Sequence, residues 1–249
     1  MNKAISYVKR TVGVLIIPAV CFVLMSLACY ISGTSLFTGE STVRLYFRGL
    51  AYVLLLSYGV SINMHTGRFD FSVGATMLLS GVSSAIIAYR LDLGPELMLV
   101  IAAIIGAVVG TVTGVFYVTL RLPPMIIGLG MTLVLEGIVA IITDGCKPVG
   151  FGTNASYYRF AVNIPAMLIV SAIAIVLMLI LFRYTSFGYD YRALVTGQKI
   201  AVNAGVREKS NAVFCYGTAG FLLGAAGALS ICSTNGVTPT INFTSIGSM

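Results

Sequence analysis

Apolar residues run through this chain in blocks of roughly bilayer length, separated by short polar stretches. Seven blocks stand out, at about 11–31, 49–64, 71–89, 97–120, 124–142, 165–182 and 211–232. Each lies near the roughly 17 to 25 residues that a helix needs to cross the hydrocarbon of a membrane. The pattern predicts an all-α, polytopic membrane helix bundle of about seven spans, forming a single transmembrane domain over residues 1–249. Pro95 and Pro165 fall where a first helical turn tolerates proline, Asn163 is a candidate cap before Pro165, and Pro123-Pro124 marks a tight turn between two spans.

One stretch breaks the rule. Between the apolar runs Leu50–Met64 and Ala75–Ala88 lie His65 and then Thr66-Gly67-Arg68-Phe69-Asp70-Phe71-Ser72-Val73-Gly74. A charge at the centre of a lipid-facing helix costs about 3 kcal/mol on insertion scales. Arg68 and Asp70 therefore belong at a broken helix, near residues 63–74, that faces an interface or a polar cavity. Asp70 either caps a helix starting at Phe71 or shapes a translocation path. Asn63 either lines that path or bonds backbone at the break, and Ser72 is grouped with it as a path candidate. His65 is either a proton relay or a hydrogen-bonded loop residue.

Composition narrows the class. The chain is 58% hydrophobic and 9% charged, with a mean hydropathy of +0.98, whereas soluble domains carry about 25% charged residues. A formal charge of +7 invites a nucleic-acid reading, but the bases are scattered between apolar runs. With the N-terminus inside, Lys3, Lys9, Arg10, Arg68, Arg121, Arg183, Arg192, Lys199, Arg207 and Lys209 are inner. Arg44, Arg48, Arg90, Lys147 and Arg159 are outer, with Arg44 and Arg48 placed on an interfacial helix before the second span. Ten against five puts the N-terminus in the cytoplasm. The first block is long for a cleavable signal peptide and reads as an uncleaved span. Five cysteines (21, 29, 146, 215 and 232) show neither a disulfide framework nor metal-ligand spacing.

Two polar segments remain. Residues 143–164 form an outer loop with Asp144, Lys147, Asn154 and Tyr157-Tyr158. Residues 183–210 form the longest inner segment, in which Lys199 to Ala204 favour a short helix that Gly205 stops. Glu136 lies about two turns inside the outer end of the fifth span, where it pairs with a base such as Lys147 or faces the path. Gly106, Gly110 and Gly114 recur every four residues, as do Gly220 and Gly224, so both faces should pack closely against neighbouring helices.

Thr66 to Gly74 resembles the Thr-Gly-Gly-Ile-Asp-Leu-Ser-Val-Gly signature of permease subunits from ribose-type ABC importers, within the wider branched-chain amino acid/ribose permease family. Arg121-Leu122-Pro123-Pro124-Met125-Ile126, followed by Leu129-Gly130-Met131, resembles that family's Arg-Val-Pro-Pro-Phe-Ile and Leu-Gly-Met. Thr185 to Gly188, then Gly197 to Gly205, resembles its cytoplasmic coupling loop. The resemblance runs from about residue 45 to the end. It implies a multi-pass subunit of the bacterial inner membrane that imports a monosaccharide or similar small polar solute by alternating access. It also implies a second permease subunit, an ABC ATPase and an extracytoplasmic solute-binding protein as partners, with Gly188, Gly197, Lys199, Ala201 and Gly205 contacting the ATPase. No phosphate-binding loop occurs in the sequence, so ATP chemistry would sit in the partner and this chain would be no enzyme and hold no cofactor.

The chain departs from the family pattern at four points. Arg68 replaces a glycine of the signature. Lys199 stands where the coupling helix often has an acid, and Glu136 where relatives commonly show arginine. Relatives also continue past the point that matches Met249, which suggests a truncated or split permease. The rival readings are a branched-chain amino acid or nucleoside permease, a passive channel that conducts without nucleotide, and an intramembrane enzyme. The last lacks a recognisable acid–base or nucleophile pair.

Overall fold

In a computed structural model the chain is helical, and the described residues are 2–33, 40–151, 155–234 and 236–239. Asn154 and Met249 lie outside them. The chain divides into two compact units, Met1–Tyr46 and Phe47–Met249. The first holds α1 (Asn2–Ile31), a 30-residue helix with Pro18 inside it. Its stretch Ile16–Ile31 is apolar and exposed along its length.

The second unit contains most of α2 (Glu40–His65), then α3 (Val73–Arg90), α4 (Pro95–Leu120) and α5 (Pro124–Ile142). A short β1 (Val149–Gly150) and α6 (Ser156–Ala161) follow. Next come α7 (Ile164–Tyr184), the connecting helices α8 (Ser186–Thr196) and α9 (Gln198–Asn203), α10 (Glu208–Thr234) and β2 (Gly236–Val237). Among the described residues six helices, α2 to α5, α7 and α10, are long and apolar enough to cross a membrane. The protein is a multi-pass helical membrane protein. α2 is a full-length span rather than a short one, because Arg44 and Arg48 extend the same helix instead of forming a separate interfacial one. Arg48 donates to the Ser233 carbonyl at 3.3 Å. Asn163 takes the N-cap position of α7 without a capping side-chain bond.

The bundle is built around α10, which packs most extensively on α4 and α3. The glycine stripes of α4 and α10 meet each other. A methyl group on Gly106 would lie 2.2 Å from the Gly220 carbonyl oxygen, and one on Gly224 would lie 2.2 Å from the Ala102 oxygen. Gly110 abuts the Tyr216 carbonyl at the same distance. Only a residue without Cβ lets two backbones come this close. Around this seam, Ile104, Val108, Val112 and Val115 of α4 point outward with their side chains exposed. That is the expected arrangement in lipid.

The loop between α5 and α7 is tied down by two features that hydropathy does not reveal. β1 pairs antiparallel with β2, Val149 opposite Val237 and Gly150 opposite Gly236. Tyr157 stacks on Phe151 with centroids 3.8 Å apart, and its hydroxyl donates to the Leu93 carbonyl at 2.7 Å.

Candidate functional site

The break between α2 and α3 is organised first by backbone. The Asn63 carbonyl accepts the Arg68 N–H at 3.0 Å, the Thr66 N–H at 3.2 Å and the Thr66 hydroxyl at 3.0 Å. Gly67 turns the chain with φ of +74°, a conformation that glycine adopts without strain. The carbonyl of Asn63, more than its amide, therefore sets the end of α2. Its side-chain Oδ1 is buried and makes no hydrogen bond.

Three residues on, Asp70 folds an Asx turn. Its Oδ1 accepts both the Ser72 N–H and the Ser72 hydroxyl, each at 2.8 Å. The helix it precedes starts at Val73, not Phe71, with Ser72 as the cap residue. Asp70 thus bonds the cap residue rather than the free N–H groups of the first turn, because an Asx turn reaches only two residues ahead. Burial pushes the Asp70 carboxyl above the usual carboxylate range, and the two Ser72 hydrogen bonds oppose that shift.

α5 backs onto this turn. A methyl group on Gly128 would lie 2.6 Å from the Phe71 nitrogen and 3.0 Å from Asp70 Oδ1. The Thr132 hydroxyl lies 3.1 Å from the Phe71 carbonyl oxygen and 2.9 Å from that of Gly128, and donates to one or the other. One turn further along the same stripe is Glu136, 1% exposed, with neither carboxylate oxygen hydrogen-bonded. The expected pairing of Glu136 with Lys147 is not made. Lys147 instead pairs with Asp144, three residues before it and far easier to reach in the exposed loop. His65 is exposed, and its Nδ1 lies 2.7 Å from the Ser61 carbonyl oxygen within its own helix.

Arg68 is buried, 3% exposed, and turns away from lipid. Its guanidinium reaches the Thr66 hydroxyl at 3.3 Å, Glu208 Oε1 at 3.7 Å and the face of Tyr117 at 5.7 Å from the ring centroid. Its ion-pair partner is the first residue of α10 and not its motif neighbour Asp70.

The segment between α7 and α10 sits against the same break. Thr185 caps α8 by accepting the Gly188 N–H at 3.2 Å. A Cβ on Gly188 would collide with the Phe182 carbonyl oxygen at 2.3 Å. The buried Tyr191 hydroxyl donates to the Ile62 carbonyl at 3.0 Å. Burial pushes this phenol up to about 12, so it stays a donor at any ordinary pH. α9 ends in a Schellman turn, with Val206 N–H on the Ala201 carbonyl, Gly205 N–H on that of Val202, and Gly205 at φ of +93°. Gly197 is extended and has room for a side chain, so nothing local demands glycine there. α9 buries Ala201 but leaves Lys199 exposed and Ile200 78% exposed.

The structure thus gathers Asp70, Ser72 and the Asn63 backbone into one turn, with Glu136 one helical turn beyond Thr132. Gly128, Thr132, Tyr191 and Glu208 escaped the sequence reading. The Gly128, Thr132, Glu136 spacing of four was the available signal for the first two; Tyr191 and Glu208 are brought in only by tertiary folding. The arrangement holds buried polar atoms at a helix break, as transporters do at their paths.

The model of the branched-chain amino acid transport system / permease component family matches residues 43–248. The chain is 31% identical over 192 residues to a ribose import permease protein of Bacillus subtilis, covering 75% of this chain and 59% of that protein. A fructose import permease protein of Bifidobacterium longum is 26% identical over 189 residues, 74% of this chain and 53% of the relative. A ribose import permease protein of Escherichia coli is 25% identical over 195 residues, 75% and 60% respectively. The chain therefore spans between half and six-tenths of the length of these relatives. No solved structure gives a significant match. With most of its length inside the matched region, this multi-pass protein of the bacterial inner membrane belongs to the branched-chain amino acid transport system / permease component family.

Proposed function

We propose that the chain is the permease subunit, or a large part of one, of an ABC importer for a monosaccharide or similar small polar solute. The observation that carries the reading is the polar break at residues 63–72 with the inner loop hydrogen-bonded to it through Tyr191 and Ile62. The ribose and fructose for which the relatives are named support a sugar over an amino acid. Asn63, Asp70, Ser72 and Glu136 are the residues assigned to the solute path. Buried oxygens of Asn63 and Glu136 that lack a partner within the chain are available to hydroxyl groups of a solute.

The subunit makes and breaks no bonds. Work enters through α8 and α9, whose exposed Lys199 and Ile200 suit a protein partner, an ABC ATPase that binds the nucleotide. Gly188, Gly197, Ala201 and Gly205 shape that surface. A second permease subunit, or a second copy, and an extracytoplasmic binding protein complete the assembly. Closure of the ATPases displaces the loop helices and rocks the helix pairs about the break.

The test is uptake of labelled ribose and fructose into proteoliposomes holding this chain with an ABC ATPase and a sugar-binding protein. Uptake that requires ATP and the binding protein is the expected result. Flux without nucleotide, unchanged by deletion of 185–207, would make it a passive channel.

A further inference from the structure

Arg68 is where the chain departs most from the signature it resembles, and it is a buried cation with a specific set of neighbours. A buried guanidinium persists only when paired and hydrogen-bonded. Among the described residues its ion-pair partner is Glu208, and the same Glu208 Oε1 accepts the Gln198 amide at 2.6 Å. Gln198 is the first residue of α9, Glu208 the first of α10, and Arg68 lies inside the turn that the Asn63 carbonyl organises. The Arg68 N–H is itself one of the donors to that carbonyl. Its side chain also sits over Tyr117 of α4 and beside the Cys215 thiol of α10. The chain of contacts therefore runs from an exposed inner-loop helix, through one shared carboxylate oxygen, to the backbone of the helix break. A glycine at position 68 would leave that chain without its last link.

We propose that Arg68 is a positioning residue, a strap that carries displacement of α9 through Gln198 and Glu208 to residues 63–72. This deepens the importer reading and rests on it for its purpose, although the strap itself is a property of the isolated chain. Shifting Gln198 changes how Glu208 is held, which alters the pairing of Arg68 and loosens or tightens the turn. The Tyr191 to Ile62 bond is a second tie, to the end of α2, and does not pass through Arg68.

The experiment is hydrogen exchange of the full chain in nanodiscs, without nucleotide or partners, followed over peptides covering 63–72. Gln198→Ala changes an exposed side chain and leaves the fold intact. It should speed exchange in 63–72 about threefold in the native background and leave it unchanged in an Arg68→Met background. Glu208→Gln, which strands a buried cation, should speed it at least about tenfold, and Arg68→Met with Glu208→Gln together should restore much of the protection. Arg68→Lys should keep part of the Gln198 response. The proposal is overturned if Gln198→Ala leaves 63–72 unchanged in the native background, or changes it equally in Arg68→Met. Because uptake is not the readout, a failed strap leaves the importer reading standing, and a failed uptake assay leaves the strap standing.

Discussion

The α4–α10 seam and the α2–α3 break lie in the same unit and obey opposite rules. At the seam, glycines bring two backbones to contact, no charged side chain takes part, and there is no room for a methyl group. At the break, a cation, a half-buried carboxylate and a hydroxyl are held by hydrogen bonds. Buried oxygens on Asn63 and on Glu136 in the adjoining helix make no bond at all. Close packing resists small displacement, since any shift meets repulsion at once. Hydrogen-bonded turns with unpaired polar atoms have other arrangements close in energy. On this contrast we expect the seam to stay fixed and the break to change shape.

The largest effect should come from attacking the seam. Gly220→Leu places a branched side chain against the Gly106 carbonyl, where even a methyl would sit at 2.2 Å. We expect a loss of about 3 kcal/mol or more, seen as a collapse of monodisperse yield and of thermal midpoint in detergent. Gly137→Ala is the matched comparison, since nothing lies within 4 Å of its missing methyl group. It should be neutral or gain up to about 1 kcal/mol. Equal losses at the two positions would mean that the close approach is not what makes the seam rigid.

Next is Glu136→Met. Both carboxylate oxygens are buried without partners, so an apolar side chain of similar length should stabilise the isolated chain by about 1–3 kcal/mol. A rise in the thermal midpoint accompanied by lost uptake would place the carboxylate in the solute path. A fall in midpoint would show instead that the carboxylate is satisfied in the isolated chain, by water for example, and holds the helix in place.

A smaller change is expected from Asp70→Ala, which removes the acceptor of two Ser72 bonds and costs about 1–2 kcal/mol locally. At equal expression it should impair uptake more than Cys21→Ala does. Equal uptake by the two variants would take the break out of the mechanism.

Sequence pattern and structure part company in a consistent way. The spans, the glycine stripes, the helix stop at Gly205 and the position of the break are legible because each depends on local spacing or on one residue's conformational freedom. What was not legible depends on tertiary reach. Charge alone offers Lys147 as one of two fates for Glu136, whereas Asp144 stands three residues from that lysine and takes it. Arg68 is legible as part of the break, but its ion-pair partner Glu208 lies 140 residues further along. The Tyr191 to Ile62 bond joins residues 129 apart, and no periodicity records such a pair. The pairing of β1 with β2 was equally hidden, since two-residue strands carry no alternation to read.

The smallest effect is a pH dependence that separates the two regions. Burial raises the folded carboxyl of Asp70, although the Ser72 N–H and hydroxyl bonds favour its charged form, and Tyr216 of α10 is near enough to feel its charge. A group whose folded value is raised contributes stability that is complete below its unfolded value, about 3.9, and is lost as pH rises through the folded value. Protection of residues 66–72 against hydrogen exchange, corrected for intrinsic rates, should therefore be greater at pH 4.5 than at pH 7.5. Asp70→Asn should flatten that difference, while the peptides around Gly106–Gly110 and Gly220–Gly224, whose contacts are made by backbone, stay flat in both proteins. A slope of the opposite sign at 66–72 would mean that the Ser72 hydrogen bonds outweigh burial, and that the turn is held by the carboxylate rather than strained by it.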